Sequence, residues 1–96
     1  MTAHQLVGEA LDEINLRLPR ARRLAARPET VLLGPGSRLD SADLVDLVML
    51  LEQKLEGRLG RPMPIALDGV FDPDTGPLRT VATLEAHLES LIRTTP

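Results

Sequence analysis

Apolar residues recur at helical spacing in three separate stretches of this chain, and prolines and glycines interrupt the pattern between them. In the first stretch Leu6, Val7, Ala10, Leu11, Ile14 and Leu18 share one side, with Glu9, Asp12, Glu13 and Arg17 opposite, as in an amphipathic helix. Thr2 stands where a cap belongs and Pro19 where a helix stops, which predicts a helix over about 3–18. The second stretch places Leu44, Val48, Leu51, Leu55 and Leu59 on one stripe, widened by Leu47, and predicts a helix over 41–59. In the third, Val81, Leu84, Leu88, Leu91 and Ile92 form the apolar face of a helix predicted over 80–92. Thr80, with Thr83 and Glu85 nearby, gives only a weak start signal.

The segments between these stretches read as long loops. Prolines at 19, 28 and 35 with glycines at 34 and 36 exclude a continuous helix between 19 and 39, leaving room for one helical turn around Arg22 to Ala26. Val31, Leu32 and Leu33 are too apolar for a solvated loop and are expected to plug one end of the core. From Gly60 onward Pro62, Pro64, Pro73 and Pro77 accompany Gly69 and Gly76, and Ile65, Ala66, Leu67 and Val70 suggest a short helix over 65–70. No β alternation and no internal repeat is present. The predicted fold is all-α: one domain over 1–96, a bundle of three main helices plus a short one, with long loops.

Composition narrows the function. A chain of 96 residues buries only about 60 to 65% of its unfolded surface, so an enclosed catalytic cavity is not expected. There is no cysteine, which removes disulfides, thiol nucleophiles and thiolate metal sites. His4 and His87 lack a ligand pattern, so no metal site is expected. Phe71 is the sole aromatic residue, leaving almost nothing on which unpaired bases could stack, and nucleic acid is not an expected partner. No apolar run approaches the roughly 20 residues of a membrane span, and no basic patch with a long apolar run marks the N-terminus; the chain reads as a cytoplasmic monomer. The net charge of -3 hides an asymmetry. Arg17, Arg20, Arg22, Arg23 and Arg27 follow one another without an intervening acid, whereas Asp40, Asp43, Asp46, Glu52 and Glu56 face only Lys54. Two regions of opposite sign are expected.

The candidate chemistry lies where the second helix begins. Ser41 or Asp40 can cap that helix, since both residue types are favoured there; Ser41 can equally serve as an attachment point. Ser41, Asp40 and His87 supply the residue types of a catalytic triad, but no motif places them together, so the chain is not expected to be an enzyme. The stretch Asp40-Ser41-Ala42-Asp43-Leu44-Val45-Asp46-Leu47-Val48-Met49-Leu50-Leu51-Glu52 resembles the Asp-Ser-Leu segment of acyl carrier proteins. Upstream, Val31-Leu32-Leu33-Gly34 is similar to the loop before that serine, and downstream Thr80-Val81 looks like the start of the family's last helix.

The resemblance implies that Ser41 carries 4'-phosphopantetheine, installed from coenzyme A by a phosphopantetheinyl transferase with Mg2+. The arm would hold acyl groups as thioesters for loading and processing enzymes of lipid or fatty acid biosynthesis, or aminoacyl groups in a specialised pathway. It further implies a partner-binding face of Asp40, Ala42, Asp43, Val45, Asp46, Met49, Glu52 and Gln53, with Asp43 and Asp46 guiding the transferase. Two departures stand out: Ala42 replaces the usual leucine after the serine, and the loop between Gly57 and Thr80 is longer than in compact fatty-acid carriers. Ala42 removes a large apolar contact that carriers of the family offer to partners, and the long loop, with the Pro77-Leu78-Arg79-Thr80-Val81 run, resembles atypical, stand-alone carriers. Without modification, the same features describe a helical interaction module whose acidic helix side is simply solvated.

Overall fold

In the computed structural model, which describes residues 2–62, 64–65, 69–72 and 74–94, three α-helices enclose one apolar core. They are α1 (Ala3–Arg17), α2 (Ser41–Leu59) and α3 (Val81–Thr94). Among the described residues there is no β-strand, and the radius of gyration of 12.5 Å is that of a packed chain, about 13 Å for 100 residues.

Local sequence sets the helix ends. Thr2 Oγ1 accepts the N–H of Gln5 at 3.1 Å while Gln5 Oε1 accepts that of Thr2 at 3.0 Å, so two otherwise orphaned donors are satisfied reciprocally at the head of α1. Leu18, extended at φ -94 and ψ 145, ends the helix before Pro19. At the other end of the chain Thr80 Oγ1 accepts the N–H of Thr83, and Thr83 Oγ1 accepts that of Thr80. A threonine pair thus does for α3 what Thr2 and Gln5 do for α1. Gly60 closes α2 in the left-handed conformation at φ 76, its N–H donating to Glu56 O; a side chain there would be strained.

Helix α1 packs on both α2 and α3. It contributes Leu6, Val7, Ala10, Leu11 and Ile14, which meet Leu44, Leu47, Val48, Leu51 and Leu55 of α2 and Val81, Leu84 and Leu88 of α3 in one cluster. Each fully buried side chain of this size stabilises by roughly 1.5–3 kcal/mol before ordering entropy is charged. No polar or charged residue is buried among the described residues.

The loops are more structured than their composition suggests. The single helical turn sits at Arg20–Arg22, earlier than the predicted Arg22 to Ala26. The turn ends at Arg23, which is extended at φ -68 and ψ 148, and the buried Leu24 is tied to Asn15: the Asn15 amide donates to Leu24 O and accepts Leu24 N–H, each at 2.8 Å. Leu32 is fully buried and plugs the core as expected. Val31 forms an isolated antiparallel bridge with Thr80, and around it Leu32 N–H donates to Arg79 O at 2.9 Å and Val81 N–H to Thr30 O at 3.0 Å. The two long loops are therefore stitched together. Of the short helix predicted over 65–70, residues 66–68 lie outside the described residues; Ile65 and Val70 on either side are buried. No helix among the described residues is long and apolar enough to cross a membrane.

Candidate functional site

Asp40, not Ser41, caps α2. Asp40 Oδ1 accepts the N–H of Asp43 at 2.8 Å, and Asp43 Oδ2 accepts that of Asp40 at 3.1 Å. Ser41 becomes the first helical residue, exposed, and its Oγ has no hydrogen-bond partner among the described residues. Capping, which the sequence offers to both residues, thus falls to Asp40 and leaves the Ser41 hydroxyl out of the cap. The Asp40 carboxyl is held below the usual carboxylate range, chiefly by the Asp43 N–H, with the Asp43 side chain and the Arg22 charge adding to it.

Charges on the acidic helix are largely answered from within the molecule. Arg22 Nη2 donates to Asp43 Oδ2 at 2.5 Å while its Nε donates to Arg38 O at 3.0 Å. Arg17 lies 3.6 Å from Asp46. Glu52 Oε2 accepts the N–H of Ile65 at 2.8 Å, pinning the second loop to the middle of α2. Lys54 pairs with Glu13 at 3.0 Å. The basic segment and the acidic helix, expected as separate regions, meet and partly neutralise one another. Arg23 is committed as well, to the carbonyls of Asn15 and Leu18.

What α2 presents outward is consequently less acidic than its composition. Ala42, Val45, Met49 and Gln53 follow each other at three- and four-residue intervals, and all are exposed, so they form one stripe along the helix. Val45 is 47% exposed and Met49 51%, large values for side chains that gain by burial. Of the expected partner face, Asp40 is exposed, while Asp43, Asp46 and Glu52 flank the stripe with their carboxylates already engaged.

Beside Ser41 an open cleft of about 280 Å³ is lined by Leu33, Leu44, Val45 and Phe71 together with the serine. Phe71, noted in the sequence only for being alone, is the residue that pattern reading missed. Its solitary place in a Pro- and Gly-rich loop gives no periodicity to follow. A tight turn displays it: Asp72 N–H donates to Gly69 O at 3.1 Å, and Asp72 Oδ1 accepts the N–H groups of Asp74 and Thr75 at 2.8 and 3.1 Å. Those two bonds also hold the Asp72 carboxyl below its usual range. Behind the turn, Gly76 is buried, and a Cβ there would stand 2.6–2.7 Å from the carbonyl oxygens of Asp72, Gly69 and Val70.

The two walls of the cleft are linked by hydrogen bonds. Leu33 N–H donates to Arg79 O at 3.4 Å and Gly76 N–H to Asp72 O at 3.0 Å, while Arg79 Nε donates to Gly76 O at 3.2 Å. The chain of bonds runs from Leu33 through Arg79 and Gly76 to Asp72, next to Phe71.

Elsewhere, His4 pairs with Glu85 at 3.1 Å. Among the described residues no group of three His, Asp or Glu side chains is placed to hold a metal ion. No family model matches the chain, and no curated protein or solved structure does so either.

Proposed function

We propose that this protein is a carrier whose Ser41 receives a 4'-phosphopantetheine arm. The observation that carries the reading is the arrangement at the head of α2: Asp40 supplies the cap, and the Ser41 hydroxyl stands exposed with no hydrogen-bond partner among the described residues. The resemblance of residues 40–52 to the acyl carrier segment supports it independently of that geometry.

The residues fit a phosphodiester at this position. The start of a helix carries about half a positive charge, which favours an anion by roughly 0.3–1 kcal/mol in an exposed site. Asp40 already takes the Asp43 N–H, so the anion gains from the helix end as a whole rather than from a nest of free amides. Two carboxylates oppose the anion at this helix end: Arg22 offsets that of Asp43, while Asp40 remains exposed and ionised. Ser41 is a substrate here. Among the described residues no base is hydrogen-bonded to it, and in this reading its proton passes to a group on the transferase. In the transfer, Ser41 Oγ bonds to the phosphorus that bears pantetheine as the pyrophosphate bond of coenzyme A breaks, and adenosine bisphosphate leaves. Once installed, the arm supplies a terminal thiol that holds acyl or aminoacyl groups as thioesters.

Partner contact in this reading rests on the Ala42, Val45, Met49 and Gln53 stripe more than on charge. Met49 suits a surface that accommodates several partners, because its side chain is flexible and polarizable. An unmodified interaction module would use the same stripe, so the serine decides between the two. Incubation with coenzyme A, Mg2+ and a broad-specificity transferase, read by intact mass, is expected to add one phosphopantetheine to the protein and none to Ser41→Ala. No gain where a control carrier is modified would overturn the carrier reading, as would a gain that persists in Ser41→Ala.

A further inference from the structure

We infer that Phe71, with Leu33 and Val45, forms an apolar shelf that holds the first part of the arm on Ser41, the branched pantoyl segment with its geminal methyl groups. This inference rests on the carrier reading and specifies what the cleft beside the serine takes.

The cleft has Ser41 as one of its own lining residues, so whatever is bonded to that hydroxyl begins inside it. In the arm, the quaternary carbon bearing the two methyl groups follows the phosphodiester after a single methylene. It is therefore the first apolar group the attached arm offers, and Leu33, Leu44, Val45 and Phe71 are the apolar groups awaiting it. Size agrees with this. Sites that enclose a whole ligand run from about 300 to 1,000 Å³, and a cleft of about 280 Å³ open to solvent takes a compact branched fragment rather than a long chain. The remaining length of the arm, with its amides and thiol, extends into water.

Phe71 is built for display. The chain's sole aromatic side chain is left 41% exposed while its neighbour Val70 is buried. The turn beneath it is fixed by Asp72 and by the close approach of three carbonyls to Gly76. Because the turn's hydrogen bonds already fix the backbone that carries the ring, covering it costs side-chain freedom alone, and removing apolar surface from water on both sides favours the contact. The bonds linking Leu33 to Asp72 through Arg79 and Gly76 keep the opposite wall in register.

The test uses the wild-type chain, whose single phenyl ring gives one set of phenyl proton signals, with only the two histidine rings beside it in the aromatic side-chain region. After modification by a transferase, proton NMR is expected to show nuclear Overhauser contacts between the Phe71 ring and the geminal methyls. Those two methyl resonances, already inequivalent beside a stereogenic carbon, should separate further and move upfield of their positions in free 4'-phosphopantetheine. In modified Phe71→Leu, which keeps an apolar side chain, the upfield shift should disappear. If intact mass shows Ser41 loaded and the methyls keep their free positions with no contact to the ring, the shelf is overturned and the carrier reading stands. If Ser41 takes no arm, both fall. The wild-type contacts decide the matter even if Phe71→Leu fails to fold.

Discussion

Gly76→Ala should destabilise the protein and disorganise the wall that presents Phe71. The new Cβ would lie 2.6 Å from Asp72 O and 2.7 Å from Gly69 O and Val70 O, well inside van der Waals contact with three backbone atoms that cannot swing aside like a side chain. Gly76 is not at positive φ, so the backbone conformation suits alanine and the penalty is steric alone. Overpacking of this kind costs about 1–3 kcal/mol, and moving the turn also strains the Gly76 to Asp72 hydrogen bond, worth about 1 kcal/mol. Against this, alanine restricts the unfolded chain and returns about 0.4–1 kcal/mol. The clash wins, leaving a net loss of about 1–3 kcal/mol. In a domain of this size that lowers Tm by about 4–8 °C for each kcal/mol. Gly57→Ala is the matched control. Gly57 lies in α2 with nothing within 4 Å of a Cβ, so alanine there should stabilise by up to about 1 kcal/mol. Urea denaturation of both variants reads the two signs. A Gly76→Ala protein as stable as the wild type would refute the described approach of the three carbonyls.

Three further outcomes follow from the hydrogen bonds. Asn15→Ala should cost about 1–3 kcal/mol by urea unfolding, because it removes both amide bonds to Leu24 and leaves its backbone groups unpaired; Asn15→Asp, which cannot donate to Leu24 O, should not restore the loss. Arg22→Ala should cost about 0.5–1 kcal/mol, the worth of a partly exposed pair, and Arg22→Lys should recover only part of it, since one point charge cannot serve both Asp43 and Arg38 O. For Asp40 the folded carboxyl titrates below its unfolded value, so the stabilisation it gives is present above the ordinary pKa of about 3.9 and is lost as pH falls through the lowered one. Asp40→Asn keeps a capping oxygen and cannot titrate, so its thermal unfolding should fall less steeply on the acid side than that of the wild type; parallel curves would remove Asp40 from the account.

Sequence pattern carried the three helices well and the contacts between loops poorly. Helix α2 was legible at both ends, because Asp40 and Ser41 signal a start and the glycines and prolines from Gly60 onward a stop. Helix α3 was legible on its apolar face but continues to Thr94, since no glycine or proline interrupts it sooner. Leu32 was legible as a core plug. The pairing of Val31 with Thr80 was not, because an isolated bridge has no alternating strand on either side to announce it. Composition marked the arginines and the acidic helix as opposites, yet it has no distances, and the distances put Arg17 and Arg22 on Asp46 and Asp43. At the site itself Ser41 stood out from its position, while Phe71 reached it only through the folding of its loop.

The chain of bonds joining Leu33 to Asp72 also bears on how this end of the molecule breathes. Amides that open together exchange together. Because Arg79 O accepts from both Leu32 and Leu33, and Gly76 is bonded on both its N–H and its carbonyl, one wall of the cleft cannot detach without loosening the other. In native-state hydrogen exchange at low denaturant, the Leu32, Asp72, Gly76 and Val81 amides are expected to converge on one opening free energy, distinct from that of the α2 core. The surroundings of Ser41 would then behave as a single cooperative unit assembled from two distant loops.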